Sequence, residues 1–188
     1  MKINQWIFSI LFFCIFDAVS AEESFPLIID SNIEISTAQQ KLYLFVEHEL
    51  AQIYDISTSR FGIGNNAGSF RTPLGRHNIF QKIGAGELVG RVFWGRNPMP
   101  LVVPIVSSRP TKKDSRYITT RILWLEGRED GINKGGIVDT KNRFIYIHGT
   151  NMEGAIGSPD SFGCVYMKNQ DIIELFDIVA VGTLVVIR

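Results

Sequence analysis

Two side chains in this sequence have the types and spacing to act as nucleophile and base. Cys164 follows the turn Ser161-Phe162-Gly163, and His148 ends the alternating run Phe144-Ile145-Tyr146-Ile147, 16 residues upstream. A neutral thiol attacks a carbonyl poorly, so His148 should withdraw the Cys164 proton. A resting thiolate–imidazolium pair would hold the thiol well below the ~8.5 of a free cysteine. The oxyanion formed by attack needs donors, which backbone N–H groups around Gly163 and Cys164 can supply. An inert cysteine packed as a small hydrophobe is the alternative. A thiol just after glycine in a turn, with a base upstream, favours the nucleophile. Zinc is the other use of His and Cys, but His48, His77, His148 and Cys164 lack the spacing of a roughly three-ligand set,.

The elements around this pair must bring it together. Phe144, Tyr146 and His148 fall on one face of a strand, Ile145 and Ile147 on the other. Both faces are bulky and apolar, which predicts a central strand buried on both sides. Gly149, Gly154, Gly157 and Pro159 break the chain after it, and Val165 and Met167 resume the alternation. Elsewhere, Lys41–Glu47 and Leu50–Ser57 predict a hairpin around His48-Glu49, with His48 a solvated turn residue,. Strands are also expected at His77–Ile83, Arg91–Trp94, Leu101–Val106, Tyr117–Leu125 and Thr183–Arg188. One helix is expected, Gln170–Val179, capped by Asn169 and with an apolar stripe of Ile172, Ile173, Phe176 and Val179,. The fold class is mainly β with few short helices, and His77 reads as structural or at the rim of the site.

Two loops invite other readings. Gly62 to Ser69 is glycine-rich, but no helix pattern follows it as a phosphate cradle requires, so a surface loop is the better reading. Ser107 to Arg116 sets Arg109, Lys112, Lys113 and Arg116 against Asp114 and reads as a solvated loop, with a lid over anionic material the weaker alternative.

The N-terminal run Trp6–Phe16 is apolar but short, and Val19-Ser20-Ala21 follows it. This predicts a signal peptide over residues 1–21, a lead-in over 22–32 and one domain over 33–188,. Asp17 disturbs the pattern and leaves an uncleaved anchor as the alternative. Cleavage removes Cys14, so Cys164 would be alone in an oxidising compartment, where an idle exposed thiol is a liability. Lys plus Arg balance Asp plus Glu at 19 each, and no basic excess argues for nucleic acid,.

The run His148-Gly149-Thr150-Asn151, Ile156-Gly157 and Ser161-x-Gly-Cys164 resembles the signature of the L,D-transpeptidases, the cysteine enzymes of bacterial cell-wall crosslinking,. Thr72-Pro73-Leu74-Gly75, Arg121–Leu125 and the tail from Asp171 to Gly182 are similar to members of this family too. The resemblance implies a β-sandwich-like catalytic domain and a cysteine acyltransferase, with no cofactor and no metal. It makes Cys164 the nucleophile and His148 the base. It gives Gly149 the carbonyl that orients the imidazole, Gly163 a backbone oxyanion donor, Ser161 loop support, and Tyr166 and Thr150 substrate contacts. The implied donor is a peptidoglycan tetrapeptide stem cleaved before its terminal D-Ala, with an amine acceptor resolving the thioester. The same resemblance implies inhibition by carbapenems, while cleavage of the leader would place the protein in the periplasm or cell envelope. A carboxypeptidase or crosslink hydrolase on the same site, and a non-catalytic wall-binding relative, are the alternatives. The sequence departs from the family at Phe162, a position often His, and at Tyr166, usually Arg.

Overall fold

The computed structural model describes residues 30–109, 111 and 115–188. The leader, most of the lead-in, and Lys112, Lys113 and Asp114 of the charged loop lie outside them.

The expected hairpin forms as β2 (Lys41–Val46) and β3 (Glu49–Ser57). Leu42 and Leu44 alternate into the core, fully buried. Glu47 and His48 form the turn, both with positive φ (50° and 68°), as a tight two-residue hairpin loop demands,. His48 is solvated at its tip.

Two strands differ from expectation for physical reasons. β1 (Ser31–Ser36) begins within the stretch read as lead-in. Only Ile33 and Ile35 are apolar in it, but both are fully buried, because β1 pairs antiparallel with β2 and parallel with the C-terminal β10 (Leu184–Ile187). After β4 (Gly75–Ile83) and β5 (Arg91–Trp94), β6 spans Asn97–Val102, four residues earlier than expected. Pro98 and Pro100 argue against a strand there, yet among the described residues β6 pairs only with β5, and an edge strand tolerates proline,.

β7 (Ile118–Gly127) joins the sheet together. It pairs with β4, β5 and β8 (Tyr146–Thr150), and β8 pairs in parallel with β9 (Val165–Met167). The strand order β4-β10-β1-β2-β3-β9-β8-β7 is closed by the β4–β7 pairing, with the β5–β6 hairpin appended to β7. The result is the expected mainly β, sandwich-like domain, rolled into a barrel. Its main core gathers Ile33, Ile35, Leu44, Ile56, Leu123, Ile147 and Val165 with the apolar face of the single α-helix among the described residues.

That helix, α1, spans Asn169–Ile178, and Lys168 rather than Asn169 is its N-cap. Asn169 is buried instead, with its amide fully used. Nδ2 donates to Thr150 O (2.7 Å) and Glu153 Oε1 (2.8 Å), while Oδ1 accepts from the hydroxyls of Thr119 (2.7 Å) and Thr120 (2.5 Å). Glu153 does the capping, accepting the Asn169 N–H at 2.7 Å and placing its negative charge at the positive helix end,. One side chain thus ties α1 to β7 and to the turn after β8. Asn169→Ala should orphan several buried polar groups and destabilise the domain by roughly 2–4 kcal/mol. Urea unfolding showing a loss below about 0.5 kcal/mol would refute this role.

Candidate active site

The parallel β8–β9 register decides which side chains meet. Ile147 pairs with Val165 and His148 with Tyr166. Ile147 and Val165 face the main core, so their alternate neighbours Tyr146, His148, Cys164 and Tyr166 share the opposite face of the two adjoining strands,. There Cys164 packs on a second apolar cluster that contains Phe93, Ile122 and Tyr146. The structure therefore brings the thiol and the imidazole to one face of adjacent strands, two positions apart in register.

The imidazole is held by its own strand. His148 Nδ1 lies 2.8 Å from Gly149 O, and a carbonyl only accepts, so Nδ1 carries the proton and Nε2 presents a lone pair,. Gly149 has to be glycine: a Cβ would sit 2.7 Å from Asn169 Oδ1 and 2.8 Å from Thr119 O. The Tyr166 ring packs against the imidazole with centroids 4.9 Å apart, and Tyr146 approaches edge-on at 6.4 Å.

The cysteine turn is held as firmly. Ser161 Oγ donates to Cys164 O (2.6 Å) and accepts from Gly163 N (3.2 Å). Gly163 adopts φ +120°, a conformation only glycine takes readily,. Thr72, from the Thr72–Gly75 turn, donates its hydroxyl to Gly163 O (3.1 Å) and accepts from Ser59 N (3.0 Å). Asp160, just before the turn, is clamped by Arg60 and Arg116, each at 2.8 Å. The partly exposed Cys164 donates its thiol to Phe144 O at 3.5 Å.

Several expectations change here. The amide of Gly163 is spent on Ser161, so Gly163 is not a free oxyanion donor in this structure. Thr150 is fully buried; its hydroxyl accepts from Met152 N and its carbonyl from Asn169, leaving no surface for a substrate. Tyr166 is also buried, against His148 rather than open to solvent. A depressed thiol pKa is not what the surroundings favour. Burial pushes Cys164 up to about 11, against smaller opposing pulls from the Tyr146 N–H and the Arg143 guanidinium. Burial likewise pushes His148 down to about 4. The pair rests neutral, because a charge on either group would be poorly solvated.

Other sequence readings find their place. His77 is fully buried between Gly75 O and the Thr140 hydroxyl, a structural residue. Arg143 donates to Asn65 O (2.8 Å), so the glycine-rich loop turns carbonyls towards a cation, the opposite polarity to a phosphate cradle. Half-exposed Phe162 stacks with Phe61 and Phe70 beneath Arg60, which accounts for an aromatic where the family often has His. Sequence reasoning missed Arg143, Glu153 and the hub role of Asn169, since their partners are distant in the chain or only visible once the turns are formed.

A thiol and an imidazole on adjoining parallel strands of a closed β-sheet define the class: a barrel-like β domain with a cysteine–histidine site. Residues 30–187 match the family described as YkuD, the L,D-transpeptidase catalytic domain, and the chain belongs to that family. The YkuD protein of Bacillus subtilis (strain 168), assigned by name to the L,D-transpeptidases, is 54% identical over 42 residues, 22% of this chain and 26% of that protein. The fold is shared with L,D-transpeptidase 3 of Mycobacterium tuberculosis, solved with a faropenem-derived adduct (TM-score 0.53, 13% identity, 85% of this chain and 60% of that one). It is also shared with the L,D-transpeptidase LdtMt1 in complex with imipenem (TM-score 0.51, 14% identity, 85% and 59%). The matches thus span about a quarter of the curated relative and about six tenths of the solved chains.

The neutral pair has a kinetic consequence. Iodoacetamide alkylation of Cys164 should still be climbing between pH 9 and 10, since the thiolate fraction grows until about pH 11,. A rate that levels off by pH 7 would indicate the ion pair instead. Stability should respond in the other direction. A histidine held near 4 in the fold and near 6.5 when unfolded binds more protons unfolded between those values, so stability falls as pH drops from 6.5 to 4,. His148→Gln should flatten part of that fall in thermal unfolding; an unchanged slope would mean His148 is not held neutral.

Proposed function

We propose that this chain is an exported cysteine L,D-transpeptidase that works in the periplasm or cell envelope on peptidoglycan stems. The observation that carries the reading is the fixed tautomer of His148, whose free Nε2 shares a strand face with Cys164. As Sγ attacks the carbonyl before the terminal D-Ala of a tetrapeptide stem, Nε2 takes the thiol proton. Proton and charge move together, so neither buried group is ionised alone. The developing oxyanion turns to the Cys164 N–H, because the Gly163 amide is engaged by Ser161,. Collapse expels D-Ala, whose amine receives the proton from Nε2, and leaves a thioester. An amine of a second stem then attacks the thioester, passes its proton to Nε2 and frees the thiol with a new amide bond.

The family assignment and the shared fold support this chemistry, and the product would contribute to wall crosslinking and cell shape. β-Lactams are expected to acylate the same sulfur, as a strained amide is opened by the same attack. Tyr166, packed on the imidazole, would act by holding its orientation rather than by contacting the stem.

The test uses protein lacking residues 1–21, incubated with purified tetrapeptide stems and followed by mass spectrometry. Crosslinked dimers with release of D-Ala are the expected products. Cys164→Ala should abolish them, and His148→Gln should lower kcat by about 10³-fold. Trimmed stems without dimers would indicate a hydrolase, and no change in the stems would refute an acyl-transfer function.

A further inference from the structure

Beside the cysteine turn lies a cleft of about 250 Å³, walled by Phe70, Phe144, Ile145 and Phe162 with Arg143 among its lining residues. Phe144, one of its walls, accepts the Cys164 thiol on its carbonyl, and Phe162, another, lies two residues before Cys164, so the cleft adjoins the cysteine turn. Two of its walls are strained. Phe70 and Phe144 both adopt φ 56°, a conformation that costs a bulky residue energy and persists only where the surroundings impose it,.

Arg143 is anchored through main-chain carbonyls, as Arg121 also is. Arg143 donates to Asn65 O (2.8 Å), Gly64 O (3.3 Å) and Arg71 O (2.6 Å), all backbone carbonyls. Among the described residues no carboxylate pairs with it. Arg60, Arg91, Arg116 and Arg188, by contrast, each pair with an acidic side chain. Burial lowers the pKa of this half-buried guanidinium, but no carboxylate neutralises its charge, and Cys164 lies close enough to feel it. Carbonyl anchoring also fixes the planar group, so little rotamer freedom is lost when an anion docks.

We propose that this cleft is a carboxylate subsite, in which Arg143 receives the C-terminal carboxylate of the donor stem's leaving D-Ala while the aromatic walls cover its methyl group. The proposal rests on the transpeptidase reading, and it assigns that reading's specificity to a residue far in sequence from the cysteine turn. It also offers the site a cation that position 166, a tyrosine, does not provide.

The test pairs two probes of the same thiol. Iodoacetate carries a carboxylate and iodoacetamide is neutral, so the ratio of their alkylation rates cancels changes in thiol reactivity. At low salt the ratio in the wild-type protein should exceed that of a small free thiol. Arg143→Met should lower it about tenfold, while Arg143→Lys, which keeps the charge, should retain most of it. Thermal unfolding of each variant shows whether the loop clamp survives. A ratio unchanged in Arg143→Met overturns the subsite. Stems ending in a free carboxylate are then compared with stems ending in an amide. Arg143→Met should erase most of the wild-type preference for the carboxylate, chiefly through KM, and equal losses on both donors overturn the assignment to D-Ala. A ratio that falls as expected, in a protein that turns over no stem, supports the subsite and refutes the transpeptidase reading instead.

Discussion

The site depends on one hydrogen bond, from His148 Nδ1–H to the carbonyl of the next residue, Gly149. It decides which ring nitrogen is a base, and it can form only because backbone packs against backbone there. Gly149 leaves no space for a side chain between Asn169 and Thr119, so β7, β8 and the start of α1 meet closely around it. Asn169, in turn, satisfies hydroxyls of β7 and a carbonyl of β8 with one buried amide. The imidazole is thus oriented without a third catalytic side chain. The orienting group is main chain, and what has been built around it is the polar hub that keeps that main chain in place.

Desolvation shapes the electrostatics of the pair. Burial alone makes the thiol a weaker acid and the imidazole a weaker base. Such a pair is quiet towards adventitious electrophiles. Reactivity then arises when the proton can move from sulfur to Nε2 as the carbonyl is attacked, so that ionisation is coupled to bond formation. The cysteine turn is correspondingly stiff. Ser161, Thr72 and the left-handed Gly163 fix it from three sides, and the Asp160 clamp holds its approach.

Much of this was legible in the sequence because it depends on local pattern. The strand ending at His148, the hairpin expected around His48-Glu49 (its turn falls one residue earlier, at Glu47-His48), the helix stripe and the Ser161-x-Gly-Cys164 turn all follow from alternation, helical period or turn chemistry. The family resemblance rests on those same residues. What was not legible depends on partners far along the chain. β1 has only two buried isoleucines and becomes a central strand through β2 and β10. β6 keeps two prolines because no described strand pairs with its outer edge. Asn169 has the right type for a helix cap, but the neighbouring hydroxyls of β7 draw its amide inward and Glu153 replaces it. The resting charge state was inverted for the same reason: residue types suggest an ion pair, and only the surrounding burial shows that both groups are held neutral.

The central claim is that His148 rests as a neutral imidazole protonated on Nδ1, its Nε2 open to the thiol. Nitrogen-15 NMR of protein labelled at histidine reads the charge and tautomer of each ring directly. The account predicts that the His148 signals show a neutral ring with a protonated Nδ1 from pH 5 to pH 9, moving to the doubly protonated form only near pH 4,. An imidazolium at pH 7, or a neutral ring protonated on Nε2, would contradict it.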